Sequence, residues 1–403
     1  MTPAPGALSR FRVLELGSTI AGPFCGRLLA DFGAQVIKVE DPGGDVIRSF
    51  GESVHGRSLY AASILRNKKT LAVDLRTAPG RAIVQRLAER SDVLIENFRP
   101  GALEKWGLGY DELSKANPRL VMVRISGFGQ TGPYSSRPGY GVISEAASGL
   151  RGITGYPDAP PARVATPLTD YLTGLYGAFG ALVALLEAAV SGRGQVVDAA
   201  LSESAFSLME SFVPTYDKLG IVPGRVGSKL PGAAPNNLFV SADGEFIHIA
   251  AWHDTLFRRF CAAMEQPALA DDERFRELPA RARNAETLDA IVSDWARSLP
   301  LTALEERLAR AEIPASKIFS IADIFRDPHY RARQALVKVP AEGLGEVTLV
   351  APTPKLSRTP GTIEHAGHQT GEDSRAVMAG FGGYTDAEID AFIAQGAIRT
   401  AAG

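Results

Sequence analysis

Residues 12–40 read RVLELGSTIAGPFCGRLLADFGAQVIKVE, and their pattern decides the fold class. A short apolar run at Arg12–Gly17 passes through a glycine-bearing turn into an amphipathic stretch, Gly26–Gly33, and then into a second apolar run, Gln35–Glu40. The alternation continues through KKTLAVDLR (Lys68–Arg76), RAIVQRLAERS (Arg81–Ser91), DVLIENF (Asp92–Phe98) and RLVMVRISGFG (Arg119–Gly129). Near-continuous apolar strands separated by helical patterns imply a parallel sheet covered on both faces. The expected fold class is α/β, with a Rossmann-like doubly wound large domain plus a smaller α+β domain.

The second domain is read from a break in this rhythm. Val213–Pro235 is polar and rich in proline and glycine, and the paired runs NLFVSADG (Asn237–Gly244) and EFIHIAA (Glu245–Ala251) follow it. Helical patterns come next, among them LFRRFCAAM (Leu256–Met264) and TALEERLARAEI (Thr302–Ile313). The expected plan is residues 1–212 as the first part of the large domain, 213–235 as a linker, 236–324 as the small domain, and 325–403 as a linker and C-terminal return to the large domain.

Composition narrows the function. The chain has 403 residues, 45% hydrophobic and 22% charged, and its 43 basic and 45 acidic side chains leave a formal net charge of -2. No block of like charge suggests a nucleic-acid partner. Cys25 and Cys261 lack metal-ligand or CxxC spacing, so no metal site is expected and both read as buried thiols in a reducing compartment. Met1–Arg12 shows no export pattern, which makes the cytoplasm the expected location. Tyr171–Val190 is apolar enough to raise a membrane span, but Glu187 interrupts it and Gly174, Gly177 and Gly180 thin it. A buried helix with a bare strip for close backbone packing is expected, and no membrane partner.

Asp170 stands out as the ionisable group between the turn Thr166–Thr169 and that apolar stretch. With Thr166 as N-cap and Pro167 at the first helical position, Asp170 falls in or beside the first turn, where the positive helix end favours the anion. A carboxylate so placed can attack an activated carbonyl. A dinucleotide reading of Arg12–Glu40 fails because Gly17, Gly22 and Gly26 do not form GxGxxG and Pro23 alters the turn.

Many motifs in order carry a resemblance. AGPF (Ala21–Phe24), LLADFGAQVIKVE (Leu28–Glu40) followed by Asp45 and Arg48, NKKTLAVDLR (Asn67–Arg76), ENFRPGALEKWGLGY (Glu96–Tyr110), ISGFGQTGPY (Ile125–Tyr134), RPGY (Arg137–Tyr140), TPLTDYLTGLYGA (Thr166–Ala178), GRGQVVDAAL (Gly192–Leu201) and PKLSRTPG (Pro354–Gly361) resemble the family III CoA-transferases over essentially the whole chain. The formyl-CoA and carnitine CoA-transferases belong to that family, and the α-methylacyl-CoA racemases are its relatives.

The resemblance implies that Asp170 forms an aspartyl-acyl anhydride and then an aspartyl-CoA thioester. It places Arg76 and Lys105 by the CoA phosphates, where Arg99 could join them, and Asn97 and Phe98 near the nucleotide and pantetheine. Tyr140 matches a tyrosine near the reacting thioester, and Tyr60 an aromatic of the acyl pocket. Ile20 stands where formyl-CoA transferase has a glutamine, and Gly141 where a polar residue is common, which speaks against formyl or oxalate specificity. The glycine-rich lid of formyl-CoA transferase has no counterpart between Gly224 and Pro235.

The implied activity is transfer of CoA from an acyl-CoA donor to a small or medium carboxylic acid, with no permanently bound cofactor, CoA itself being substrate. A dicarboxylate such as succinate is expected because His55, Arg57 and Arg48 offer positive charge near the presumed pocket, with a surface loop as the competing reading for His55 and Arg57. Main-chain N–H groups of the SGFGQTG stretch are expected to hold the oxyanion. An interlocked homodimer is the implied assembly. Two alternatives stand beside this reading: an isomerase of 2-methylacyl-CoA, for which no histidine follows the RPGY segment, and a non-catalytic acyl-CoA-binding protein.

Overall fold

The structure, a computed structural model, describes residues 6–401. The reading of Met1–Arg12 therefore falls partly outside the described residues. Six parallel strands, β1 (Arg12–Glu15), β2 (Gln35–Glu40), β3 (Lys68–Val73), β4 (Val93–Glu96), β5 (Val121–Ser126) and β6 (Val196–Ala200), lie in the order 3-2-1-4-5-6. A short strand, Ile398–Arg399, pairs antiparallel with the outer edge of β3. This is the doubly wound order, and its direction of winding reverses between β1 and β4.

The near-continuous apolar character of the strands has a plain cause. Leu14, Ile37, Leu71, Leu94 and Met122 face one core, while their neighbours Val13, Val36, Val93, Val121 and Val123 face another. The first core is closed by Ile83, Val84 and Leu87 of the helix Ala78–Ala88. The second is closed by the opening helix, Ala21–Asp31, and the long helix, Leu168–Ser191.

The long helix packs closely through the glycines noted in the sequence, Gly174 against the opening helix and Gly180 against β6. A Cβ at Gly174 would lie 2.8 Å from the carbonyl oxygen of Ala21, and one at Gly180 would lie 2.5 Å from Val197 Cγ1. It is the one helix among the described residues long and apolar enough to cross a membrane by length and composition. Its face bearing Gly174, Gly177, Ala181 and Ala184 is spent on the protein core. Its start differs from the sequence reading. Pro167, not Thr166, is the cap, no side chain caps the helix, and the helix begins at Leu168. Thr166 serves through its carbonyl, which accepts the Leu168 N–H at 2.8 Å. Asp170 is thus the third helical residue.

The chain forms two compact units. The large one comprises 1–150, 164–220 and 331–403, and the small one 151–163 and 221–330. The large unit extends past Phe212 because the helix Phe212–Leu219 belongs to it, and residues 151–163 join the small unit although they precede the long helix. Within the small unit an antiparallel sheet, ordered Ala315–Lys317, Phe246–Ala250, Asn236–Val240, packs on helices through Phe239, Phe257, Phe260, Phe275 and Trp295. Arg281, fully buried there, is satisfied by the carbonyls of Ala234, Phe275 and Trp252 and by the Asp254 carboxylate.

Candidate active site

The carboxyl ends of β1 and β4, where the winding reverses, are where ligands bind in open α/β sheets. The segments leaving them are clamped together. Asn97 accepts the Ser18 N–H at 2.7 Å through its side-chain oxygen and donates to the Ser18 carbonyl at 2.8 Å. Asp45 holds the same turn from the other side, accepting from Ser18 Oγ, Thr19 N–H and Ile47 N–H. The turn needs this support because Thr19 has φ +68°, a left-handed conformation costly for a β-branched residue.

Beneath the turn lies a buried charge network. Lys38 pairs with Asp45 at 2.7 Å and donates to the Gly17 carbonyl, and Lys68 pairs with Glu15 at 2.7 Å. Burial disfavours charge on Asp45, yet Lys38 together with the N–H groups of Ile47 and Thr19 holds its carboxyl at about 2. Burial likewise works against charge on Lys38, and Asp45, Glu15 and Glu40 more than offset it, raising its pKa. Around Glu15 and Lys68 burial dominates, pushing the acid up and the amine down.

Above the turn a cavity of about 260 Å³ opens, walled by Ser18–Ala21, Asn97–Pro100, Ile125–Gly127, Ser135, Arg137–Tyr140, Asp170 and Leu201. Asp170 therefore shares one hollow with Ile20, Asn97, Phe98, Arg99 and Tyr140. Its carboxylate rests against the start of a second helix, Gly141–Ala147, and a Cβ at Gly141 would overlap Asp170 Oδ2. Two helix N-termini, with their partial positive charge, thus meet at this carboxylate. The glycine that follows Tyr140 is what admits the nucleophile candidate.

Tyr60 is not in the wall but behind it. Its hydroxyl is 2.7 Å from that of Tyr171, the residue after Asp170. Burial, the Tyr171 hydrogen bond and the negative charge of Asp170 push the Tyr60 hydroxyl well above its ordinary range. It remains a protonated hydrogen-bonding group at any working pH.

A neighbouring cavity of about 380 Å³ shares Ser18 and Phe98 with the first and contains Lys38, Asp41, Asp74, Arg76 and Trp106. Arg76 is exposed at its rim and paired with Asp74 at 2.7 Å and Asp41 at 3.4 Å. Lys105 lies exposed at the end of the helical turn Ala102–Lys105 and lines neither cavity.

Three expectations are corrected here. Arg48 and Arg57 open onto a different hollow, not that of Asp170, and His55 sits exposed at the tip of the hairpin Ser53–Val54/Arg57–Ser58 with φ +50°. Proximity in sequence to Tyr60 does not fix the direction in which a hairpin points its side chains. The cations that do share the Asp170 cavity are Arg99 and Arg137. In the SGFGQTG stretch, the Gly129 and Gln130 N–H groups are committed to Ser126 Oγ and Asp198, so these two cannot serve an oxyanion.

The sequence reading missed Ser18, Thr19 and Arg137. Arg137 stands in the RPGY motif itself and was legible; the Ser18–Thr19 turn shows its role only through its partners Asn97 and Asp45. No histidine lines the Asp170 cavity, and among the described residues no group of three or more His, Cys, Asp or Glu side chains could hold a metal ion.

Residues 8–374 match the family model for CoA-transferase family III. The succinyl-CoA–D-citramalate CoA-transferase of Chloroflexus aurantiacus is 44% identical over 387 residues, 96% of each chain. The succinate–glutarate CoA-transferase of Agrobacterium fabrum is 38% identical over 385 residues, 92% of this chain and 95% of the other. Among solved structures, a CAIB/BAIF family protein from Brucella suis superposes with a TM-score of 0.84 at 33% identity, covering 94% of this chain and all of that one. The chain belongs to CoA-transferase family III and is an acyl-CoA:carboxylate CoA-transferase.

Proposed function

We propose that the chain moves CoA from a succinyl-CoA-like donor to a dicarboxylic acid, with Asp170 as the covalent carrier. The single observation that carries this is the seating of the Asp170 carboxylate in a cavity that shares Ser18 and Phe98 with a second hollow, which has Arg76 at its rim. Two adjoining hollows suit a ligand with a reactive thioester at one end and a charged nucleotide at the other. The dicarboxylate class is supported by the relatives, whose names pair succinyl-CoA with D-citramalate and succinate with glutarate.

In the proposed sequence, Asp170 attacks the donor thioester carbonyl, the carbon–sulfur bond breaks, and CoA leaves as thiolate with an acyl-aspartyl anhydride behind it. The thiolate then attacks the Asp170 carbonyl, releasing the donor acid as carboxylate and forming an aspartyl-CoA thioester. The acceptor carboxylate attacks that thioester and expels CoA thiolate. CoA attacks the acceptor carbonyl of the new anhydride, which frees Asp170 and the new acyl-CoA. Protons balance throughout, so no general base is required, in keeping with a cavity wall without histidine.

Phe98, shared by the two hollows, and Asn97, in the wall of the first, suit the pantetheine arm. Arg76 suits the nucleotide phosphates, and Arg99 and Arg137 add guanidinium groups at the thioester end. Lys105, exposed near this entrance, is assigned to the phosphates by motif likeness alone. Tyr140, the N-cap of the helix against Asp170 and part of the same cavity wall, is assigned a place beside the reacting thioester. No resident cofactor is assigned. We infer a cytoplasmic location, a reading that two free, buried thiols support.

The assembly we infer is a homodimer, interlocked as in the family. The long helix leaves Leu175, Phe179, Val183, Leu186 and Val190 exposed, at 52, 63, 49, 69 and 91%. Such a contiguous apolar ridge marks an interface.

The deciding experiment is mass spectrometry of enzyme mixed with succinyl-CoA. The peptide containing Asp170 should carry CoA as a thioester that hydroxylamine removes, and Asp170→Asn should lose both adduct and turnover. Turnover by the Asn variant at a tenth of the parental rate or more would end the assignment.

A further inference from the structure

Arg99 and Arg137 share the cavity of Asp170, and their places in the chain set them apart. Arg99 follows Phe98, the residue this cavity has in common with the hollow that has Arg76 at its rim, so it stands toward the CoA side. Arg137 does not border the Arg76 hollow. It opens the stretch Arg137–Tyr140 that runs into Gly141, against the Asp170 carboxylate.

The fold positions the Arg137 guanidinium without neutralising it. A turn brings the chain back on itself, the Arg137 N–H donating to the Tyr134 carbonyl at 2.9 Å. The guanidinium then lies over the Tyr134 ring, 3.6 Å from its centroid, and that ring meets Phe128 edge-on. Stacking of this kind orients the guanidinium plane and leaves the N–H groups along its edge free to donate. The residue is exposed, and among the described residues no carboxylate pairs with it.

We propose that Arg137 receives the distal carboxylate of the acyl group and so sets the preference for dicarboxylic over monocarboxylic acids. This rests on Asp170 being the acyl carrier, as set out above. With the acyl carbon on Asp170 and the CoA arm leaving past Phe98, the chain of the acid lies against the rest of the wall. Ile125 and Leu201 offer apolar surface to its methylenes, and Arg137 offers charge to its far end. A guanidinium fork matches the paired oxygens of a carboxylate, whereas a terminal methyl group makes no use of it.

The test is a competition in the full-length protein between two acceptors of equal chain length that differ at the far end, glutarate and pentanoate. Succinyl-CoA is the common donor, and the new thioesters are counted by mass spectrometry. The parent should favour glutaryl-CoA, and Arg137→Met and Arg137→Gln should each lower the ratio of glutaryl-CoA to pentanoyl-CoA about tenfold or more, the effect of removing a charge-assisted hydrogen bond. Damage to folding or to CoA binding lowers both products together and leaves their ratio alone. For a variant that makes neither product, calorimetry of glutarate binding to the CoA-saturated protein decides, and the affinity should fall by the same factor. A ratio or an affinity that neither substitution moves overturns the inference, as does a parent that makes both thioesters equally. The hydroxylamine-labile adduct on the Asp170 peptide separates the two readings: a parent that forms it with an unmoved ratio sinks this inference alone, and a parent that forms none sinks the carrier reading beneath it.

Discussion

Gly141 shows how little room the reaction centre allows. A methyl group there would occupy the position of Asp170 Oδ2, so Gly141→Ala must displace the carboxylate. Misplacing a reacting group by about 1 Å can cost on the order of a hundredfold in rate. Gly141→Ala is therefore expected to lower kcat by roughly that factor, with a far smaller change in the KM for CoA donor, because the second hollow is untouched. Steady-state kinetics with a folded variant checks this. Asp45 gives a second residue-scale test, through pH. Its folded pKa, at about 2, lies below the ordinary carboxylate value, so its contribution to stability is present above that ordinary value and is lost as pH falls through about 2. Denaturant unfolding between about pH 5 and about pH 2 should show a stability advantage over Asp45→Asn of about 2 kcal/mol at the upper end that shrinks toward the lower.

At the scale of elements, the parallel sheet was readable in the sequence because each strand needed two apolar faces, and Val13 and Leu14 do feed opposite cores. Asp170 in a first helical turn was also readable from Pro167 and the apolar run after it. What local pattern could not carry was the network that shapes the turn after β1. Lys38 on β2, Lys68 on β3 and Asp45 beyond β2 look in sequence like ordinary solvated charges, and only strand pairing buries them together. The direction of Arg48 and Arg57 was illegible for the same reason, since Glu40 and the chain near residue 367 decide it. Removing one partner from such a network leaves charge buried and uncompensated. Lys38→Met is expected to destabilise the fold by about 3–5 kcal/mol, read from chemical denaturation. A loss under 1 kcal/mol, the range of exposed pairs, would show that the network is solvated.

For the whole molecule, the apolar ridge of the long helix is the feature most in need of a partner. Phe179→Asp places a charge at its centre. Light scattering should report about twice 42.8 kDa for the parent chain and a shift toward 42.8 kDa for the variant. A parent that stays at the smaller mass at micromolar concentration would refute the dimer.

The last strand, Ile398–Arg399, closes the edge of a sheet whose first strand begins at Arg12. During synthesis, then, the outermost border of the nascent large unit stays open until residues 398–399 have been made, after residues 221–330 have already been translated. A chain lacking Ile398–Arg399 would expose the bare flank of β3 to proteases and to other copies. Closure of this sheet's border thus depends on a strand translated long after the one it covers.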